Sequence, residues 1–318
     1  MALFLTENDV KQVLTATMAL EAVESAHRDL ALGQAQDTPR ARTRLPQTVL
    51  HILQGALPAQ GVLGYKAYTS NRSGNRFLVH LFDAATGSLL AVIEADYMGM
   101  IRTGTASGVA ARWLARPDAK VAGVFGAGWQ AEGHVRAICA ALPLERVKIF
   151  SRKADKLAAF CRRMSEVTGV LVVPAASAED AVRGSDLIGT ITTAAPPLSD
   201  ADWLEPGTHI TAAGPNAPTR QELSEATLKR AALVAVDAVP TALAEAGDLL
   251  PLLEKGRLHS RQLVELGDII IGQCAGRTST EQITVFESQG MAIQDLAVGL
   301  RVLAAARECG LGVELPLK

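Results

Sequence analysis

The chain has 318 residues, 48% of them hydrophobic and 20% charged, and its formal net charge at pH 7 is −2. A chain of this length folds as two domains or as one large domain, and its apolar content supplies a substantial core. The small net charge without a basic block, together with only 4% aromatic residues, argues against a nucleic-acid-binding surface. No apolar run is long enough to span a bilayer, which argues against a membrane partner.

The spacing of cysteine and histidine predicts neither a disulfide framework nor a metal site. The four cysteines, at positions 139, 161, 274 and 309, are far apart, and the six histidines show no HxxxH pair. Reduced thiols of this kind are typical of a cytoplasmic protein, and residues 1–7 do not resemble the start of a targeting segment. We therefore expect a soluble, cytoplasmic protein without a metal.

The first third of the chain predicts an α+β block. Residues 6–33 predict two short helices, with Thr6 and Asp9 forming a weak capping-box pattern. Residues 38–95 predict a meander whose strands are separated by turn residues, at 49–53, 61–66 and 77–82. A helix over 103–115 is expected to open at Arg102-Thr103-Gly104.

From about residue 118 the pattern alternates between strands and helices. Strands are predicted at 121–125, 147–151, 170–173, 186–190, 208–213 and 232–236, and helices at 129–141 and 153–167. This alternation is typical of an α/β fold with a doubly wound parallel sheet, the Rossmann type. A strand at 283–286 and a helix at 292–309 complete the predicted elements.

Two glycines separated by one residue follow the apolar run that begins at Val121. Gly126 permits the tight turn, Gly128 has no Cβ to block a phosphate, and Ala131 allows close packing of helix on strand. The new helix would point free N–H groups at the anion. The segment therefore predicts a dinucleotide site, although an ordinary glycine-rich turn between strand and helix is the alternative.

The end of the second predicted Rossmann strand bears on the choice of cofactor. An acidic residue there would accept hydrogen bonds from a ribose 2′-hydroxyl and repel a 2′-phosphate. The chain instead carries Ser151, Arg152 and Lys153, which offer one hydroxyl and two cations. This favours NADP(H), with NAD(H) as a second possibility; the alternative is a solvated basic start to the next helix.

Two basic positions before the glycines are further candidates for anion binding. Arg102 with the hydroxyl of Thr103 at a helix start could hold the cofactor pyrophosphate, or it could belong to a capped surface helix. Lys66 is expected at the end of a glycine-flanked apolar strand, where it lies either at a rim or inside a site. A buried lysine needs a partner or a lowered pKa.

Other charged groups could bind or protonate a substrate. Arg40, Arg42 and Arg44 alternate in an extended segment and so share one strand face, which suits either a carboxylate or a solvated edge strand. Asp237 follows the strand at 232–236, where the carboxyl ends of parallel strands form a ligand crevice. It could act as an acid or base, or cap the next segment.

Together these residues resemble the ornithine cyclodeaminase/mu-crystallin family. The resemblance extends over most of the chain and lies in the order and spacing of segments that are individually common. They are Lys66, residues 81–87, Arg102-Thr103, residues 126–131, Val236-Asp237, Glu245-Ala246-Gly247-Asp248, residues 283–288 and Gln294-Asp295-Leu296-Ala297.

The resemblance implies a substrate-binding and dimerisation domain, residues 1–117 with 291–318, around a Rossmann NAD(P)-binding domain, residues 118–290, in a homodimer. It implies that Lys66 and an arginine of residues 40–44, for which we choose Arg42, hold a substrate carboxylate. Asp237 matches the acid/base position of the cyclodeaminases. The predicted cofactor contacts are Arg102, Thr103, Gly126, Gly128, Trp129, Gln130, Ser151, Arg152, Lys153, Thr193, Val236 and Ser288.

Several departures favour the shorter reductase branch of that family. Ser151-Arg152 stands where the NAD-using cyclodeaminases carry an acidic residue, and Thr241 stands where they carry a lysine. The longer C-terminal extension of those enzymes is also missing. The favoured branch looks like Δ1-pyrroline-2-carboxylate or ketimine reductases, which prefer NADPH.

We therefore expect an NAD(P)H-dependent oxidoreductase that acts on C=N or CH–NH bonds of a small cyclic imino or amino acid. The expected reaction converts Δ1-pyrroline-2-carboxylate to L-proline, or the six-membered imine to L-pipecolate, with Lys66 or Asp237 handling the proton. The alternatives are ornithine cyclodeaminase or alanine dehydrogenase chemistry, and a non-catalytic ligand-binding protein similar to mu-crystallin.

Overall fold

The computed structural model describes residues 2–153, 155–194, 196–214 and 217–316. The chain divides into two compact units, the first formed by Met1–Arg102 with Gly290–Lys318 and the second by Thr103–Gln289. Residues 103–117, which the resemblance places in the first domain, thus fall in the second unit. The reason is that one long helix, Asp96–Leu114, runs through the point of division.

Strands dominate the first part of the chain, and strands alternate with helices after it. Up to the division the described residues form β1 Leu3–Leu5, α1 Glu7–Val13, α2 Ala16–Ala31, β2 Gln36–Arg44, β3 Thr48–Leu57, β4 Val62–Asn71, β5 Gly74–Asp83, β6 Leu89–Glu94 and α3 Asp96–Leu114. The next are β7 Val121–Phe125, α4 Trp129–Ala141, β8 Arg146–Phe150, α5 Leu157–Thr168, β9 Leu171–Pro174, α6 Ala178–Val182, β10 Leu187–Thr190, β11 His209–Ala212, α7 Glu225–Arg230 and β12 Ala231–Val236. The last are α8 Val239–Glu245, α9 Leu250–Glu254, β13 Leu263–Glu265, α10 Leu266–Ile270, β14 Ile283–Glu287, α11 Ala292–Glu308 and β15 Val313–Glu314.

The first unit is a mixed sheet with helix α11 packed against one face. Within the described residues its strand order is β15-β1-β6-β5-β4-β3-β2, antiparallel except for the β1–β6 pair. Helix α11 packs closely because two strands carry glycine beneath it. A Cβ on Gly55 would lie 3.0 Å from Ile293, and one on Gly64 would lie 3.1 Å from Leu296.

The second unit is a parallel sheet with the order β13-β12-β14-β11-β10-β7-β8-β9 in the described residues. Apolar side chains from both of its faces are buried, among them Val124, Ile149, Ile210 and Val285. The predicted α/β class with a Rossmann sheet is confirmed. The strand order reverses between β7 and β10, and the carboxyl ends of parallel strands form a crevice at such a point.

The prediction that a helix opens at Arg102-Thr103 is wrong. Helix α3 begins at Asp96, because the carboxylate of Glu7 accepts hydrogen bonds from the backbone N–H groups of Asp96 (2.6 Å) and Tyr97 (3.0 Å). The acid that stabilises this helix end lies 89 residues earlier in the chain, so the local sequence does not show it. Arg102 and Thr103 therefore lie inside the helix, away from its N-terminal N–H groups.

The placement of Lys66 at a strand end is also wrong. Strand β4 continues to Asn71, and Lys66 pairs with Leu53 on one side and Val79 on the other. The side chain is thereby fixed in the middle of the sheet, and its exposure is only 3%. The predicted helix at 153–167 begins later, at Leu157.

Candidate functional site

The first unit contains a buried cluster of charges, called the cationic cluster below, formed by Lys66, Arg102 and Asp295. Lys66 Nζ donates to Asp295 Oδ1 at 3.0 Å, and Arg102 Nε donates to the same oxygen at 2.9 Å. Lys66 and Arg102 are 3% and 6% exposed, and Asp295 is fully buried. Two cations and one anion leave this cluster with a net charge of +1.

Two glycines leave space for the cations. A Cβ on Gly99 would lie 3.1 Å from Lys66 Nζ, and a Cβ on Gly290 would collide with the Arg102 guanidinium. Gly290 also has φ +80°, a conformation that favours glycine. The backbone is therefore shaped around Lys66 and Arg102.

A second layer of hydrogen bonds orients Arg102. Gln294 Oε1 accepts from Arg102 Nη1 at 3.2 Å and from the backbone N–H of Met291 at 3.2 Å. The amide of Gln294 lies 3.1 Å from Nε2 of the buried His27. Because Gln294 and Asp295 both belong to the first turn of α11, one helix end holds the whole cluster.

The surroundings of Lys66 lower its pKa from 10.5 to about 8. Burial is the largest cause, and the positive charges of Arg102 and Arg40 act in the same direction, while Asp295 opposes them. The ammonium also lies 5.2 Å from the centre of the Phe77 ring. Lys66 is therefore charged at neutral pH but close to the range in which it can release a proton.

Strand β2, which carries the three arginines, lies next to a pair of stacked rings on β3 and β4. Arg42 pairs across strands with His51, which stacks on Tyr68 with ring centres 4.2 Å apart. Burial, then the charges of Arg42, Arg40 and Arg44, lower the pKa of His51 to about 4, so His51 is neutral at pH 7. A bulge between Thr38 and Ala41 shifts the register of β2 at Arg40, whereas Arg42 and Arg44 lie in the regular part that follows and share one face.

In the second unit, the glycine turn after β7 has the form that a dinucleotide requires. Gly126 has φ +121°, and a Cβ there would lie 2.6 Å from the carbonyl oxygen of Ile191, which follows β10 at the reversal of strand order. Gly128 precedes α4 and has open space where a Cβ would be. Trp129 is 43% exposed and Gln130 is exposed beside it. The turn fits a pyrophosphate at the start of α4.

The residues after β8 form an exposed polar loop. Arg152 and Lys153 are exposed, and the backbone N–H of Lys153 donates to Ser151 Oγ at 3.2 Å. This loop offers two solvated cations and one ordered hydroxyl at the carboxyl end of the strand next to β7. Such groups can bind an additional phosphate on a ribose.

Asp237 lies directly after Val236, the last residue of β12, and is fully buried. Its Oδ2 accepts hydrogen bonds from Ser288 Oγ and the backbone N–H of Gln289, both at 2.8 Å. The structure thus brings Asp237 and Ser288 into contact. Thr193 is exposed after β10, and Thr103 is half-buried within α3.

A group of buried acids lies near Asp237 in the second unit. Burial and the neighbouring Asp248 and Glu222 raise the pKa of Glu287 well above its usual value. Burial is also the main cause that raises the pKa of Asp248 to about 6 and that of Glu222 to about 7. Glu287 shares a hydrogen bond with Asp248, so we assign the shared proton to Glu287.

Sequence reasoning missed the roles of several acids. Asp295, Asp248 and Glu287 belong to the segments that carry the family resemblance but received no role from it, and no pattern pointed to Glu222. Asp295 contacts partners that are 229 and 193 residues away in sequence. The signal that could have found it is its place at the start of a largely apolar helix, where a buried carboxylate needs a cation.

These features define a class: an α/β protein with one Rossmann-type unit and one unit that contains a buried cluster of charges. The model of the ornithine cyclodeaminase/mu-crystallin family matches residues 1–308, and the chain belongs to this family. The predicted family is therefore confirmed.

Three relatives show what the chain resembles. A Δ1-pyrroline-2-carboxylate reductase of Bacillus cereus is 36% identical over 283 residues, which are 85% of this chain and 87% of that protein. The solved structure of the Thermococcus litoralis Δ1-pyrroline-2-carboxylate reductase with NADH and L-proline is 28% identical, with a TM-score of 0.94 over 98% of this chain and 100% of that one. An archaeal alanine dehydrogenase dimer with bound NAD is 32% identical, with a TM-score of 0.93 over 100% of this chain and 99% of that one.

The prediction of an enzyme that uses a nicotinamide nucleotide for oxidoreduction at C=N or CH–NH bonds is confirmed at the level of the class. Within the part of the chain that the structure describes, no helix has the length and hydropathy needed to cross a membrane.

Replacing Glu287 by Gln tests the protonated state of the buried acids. A raised pKa means that the stability gained from the bound proton is present below the unfolded-state pKa and is lost as pH rises through the folded-state value. The amide keeps a donor toward Asp248 without needing that proton. We expect the free energy of unfolding of wild type to fall relative to that of Glu287→Gln as pH rises from 4.5, the usual pKa of a glutamate, toward 9, by about 1 kcal/mol or more.

The measurement is urea unfolding at each pH, with the exposed Glu281→Gln as the control that should follow wild type. A constant difference between Glu287→Gln and wild type across this range would contradict the assignment.

Replacing Gly128 by Ala separates nucleotide binding from folding. Because the added methyl group meets no protein atom, its cost in stability should stay below about 1 kcal/mol. A pyrophosphate bound at this turn would collide with the methyl group, so we expect the affinity for the nicotinamide nucleotide to fall by about tenfold or more, a loss of about 1.4 kcal/mol. Fluorescence titration with NADPH measures the affinity and thermal unfolding measures stability; unchanged affinity would remove Gly128 from the nucleotide site.

Proposed function

We propose that this protein reduces a cyclic imine carboxylate with NADPH, converting Δ1-pyrroline-2-carboxylate to L-proline. The observation that carries the proposal is the cationic cluster, in which two buried cations share one carboxylate oxygen of Asp295. The remaining charge of +1 matches one substrate carboxylate. Reductases for this imine among the relatives support the choice.

Lys66 and Arg42 are proposed to hold the substrate carboxylate. A guanidinium binds a carboxylate through two parallel hydrogen bonds, and a buried ammonium adds a third charge-assisted bond. Arg42 is half-buried on β2, and β2 is separated from the strand of Lys66 only by β3. Arg40 remains a second candidate, because its charge acts on the pKa of Lys66.

When bound, the reduced nicotinamide supplies a hydride to the imine carbon beside the carboxylate. The ring nitrogen must gain a proton, because an iminium carbon is a better electrophile than a neutral imine carbon. Lys66, with its pKa of about 8, can hold and donate that proton at neutral pH. Asp237 is the other candidate, with Ser288 and Gln289 orienting its carboxylate.

NADPH is proposed as the preferred cofactor and NADH as the weaker one. The support is the loop Ser151-Arg152-Lys153, which presents cations and no carboxylate at the ribose position. The relatives solved with NADH or NAD are the reason to keep NADH as a working alternative.

A cytoplasmic homodimer is the proposed form of the enzyme. In the first unit, the sheet face opposite α11 carries Leu50 and Leu63, which are 37% and 40% exposed, and Tyr65, which contacts Phe82. These exposed leucines, which share the face with the polar Gln54 and His80, favour association with a second copy. The alanine dehydrogenase relative is a dimer, and the cysteines, all free thiols, suit a reducing compartment.

Dehydrogenation of an open-chain amino acid is the second candidate activity, favoured by the similarity to alanine dehydrogenase. The same carboxylate clamp and cofactor site would serve it in the reverse direction. Reduction of the six-membered imine to L-pipecolate would need no further residues.

Assays with purified protein decide among these activities. We expect NADPH oxidation with Δ1-pyrroline-2-carboxylate to be faster than reductive amination of pyruvate. Both rates are measured as the loss of NADPH absorbance. NAD-dependent release of ammonia from ornithine, without imine reduction, would show that the enzyme is a cyclodeaminase. Binding of NADPH without turnover of imines or amino acids would favour a ligand-binding role.

Replacing Arg152 by Ala tests the cofactor preference. The loss of one charge-assisted bond to a 2′-phosphate should raise KM for NADPH by about tenfold and leave KM for NADH within about twofold. Arg146→Ala is the matched control, because Arg146 lies at the other end of the same strand. Equal changes for both nucleotides would exclude Arg152 from the phosphate site.

A further inference from the structure

We propose that Asp295 is a positioning residue of this enzyme: it fixes the Lys66 ammonium, the proposed ligand of the substrate carboxylate, beside the Arg102 guanidinium. The proposal rests on the function proposed for Lys66. It extends that function by one residue, which acts through its two cationic neighbours rather than by contact with the reacting atoms.

The geometry of the carboxylate supports this role. One oxygen, Oδ1, accepts from both Lys66 Nζ and Arg102 Nε. The other oxygen, Oδ2, is buried and accepts no hydrogen bond from the described residues. A buried carboxylate kept for the fold alone is expected to have both oxygens paired. In Asp295, by contrast, only Oδ1 is paired, and it binds both cations.

The surrounding structure fixes that oxygen. Asp295 lies in the first turn of α11, where Gln294 accepts from Arg102 and from the backbone of Met291. Gly99 and Gly290 leave room for the two cations. The three charged side chains of the cationic cluster are therefore held in one arrangement.

Asp295 also keeps Lys66 protonated. Lys66 is faced by Asp295 from α11, Arg102 from α3, Arg40 from β2 and the Phe77 ring from β5. Burial, Arg102 and Arg40 all favour the neutral amine, and Asp295 is the acidic group that opposes them. Without this carboxylate the pKa of Lys66 would fall below its present value of about 8, and a neutral amine would bind a carboxylate poorly.

The test measures Lys66 directly in the full-length protein. Lysine labelled with ¹³C at Cε reports its titration by NMR, and the Lys66→Met variant assigns the resonance. In wild type we expect a titration midpoint of about 8. Asp295→Asn, which keeps the shape and removes the charge, should move the titration to lower pH, while Asp295→Glu should keep it close to wild type. An unchanged Lys66 titration in Asp295→Asn would overturn the proposal.

Arg102→Gln provides the opposite change and keeps the test valid if Asp295→Asn does not fold. Removing a neighbouring positive charge should move the Lys66 titration to higher pH. If the titration stays at the wild-type value, Asp295 and Arg102 do not control Lys66 and the proposal fails.

The pH profile of kcat/KM distinguishes positioning from a merely structural role. For Asp295→Asn we expect a loss of about tenfold at pH 8 that is smaller at pH 6, because Lys66 regains its proton at lower pH. A structural defect would lower kcat/KM by the same factor at every pH, which would contradict the role. If wild type does not reduce the imine at all, the proposed function fails, but the NMR titration still decides the role of Asp295.

Discussion

The buried interaction between Lys66, Arg102 and Asp295 is the constraint on which the first unit depends. Burying two cations is costly unless a carboxylate and fitted backbone compensate. The fold supplies both, through the first turn of α11 and through glycines at 99 and 290. Neutral residues of similar volume would satisfy packing at lower cost, and the proposed substrate carboxylate would account for the retained charge.

In the second unit, the candidate nucleotide site is preorganised by backbone and not by charged side chains. Its glycine turn offers backbone N–H groups and open space rather than side-chain charge. Its buried acids, Asp237 and Glu287 among them, lie at the carboxyl ends of β12 and β14. A reductase needs a cofactor cradle, a substrate clamp and a proton donor, and the proposed function assigns each of these to named residues.

Local sequence predicted some features well and others poorly, for physical reasons. The strand, glycine turn and helix around Gly126 were predicted closely, because turn chemistry and hydrophobic period are local signals. The predicted start of α3 was wrong because Glu7, distant in sequence, caps that helix. The role of Asp295 could not be predicted for the same reason: its partners lie on β4 and α3, and only the folded chain brings the charges together.

The cationic cluster is proposed to select a cyclic imine by its carboxylate. The most direct measurement compares kcat/KM for Δ1-pyrroline-2-carboxylate and for 2-methyl-1-pyrroline, which lacks the carboxylate, in wild type and in Lys66→Met. We predict a preference of about a hundredfold for the carboxylate in wild type, which corresponds to strong charge-assisted bonds, and its collapse in the variant. Equal preference in both proteins would contradict this role of the cluster.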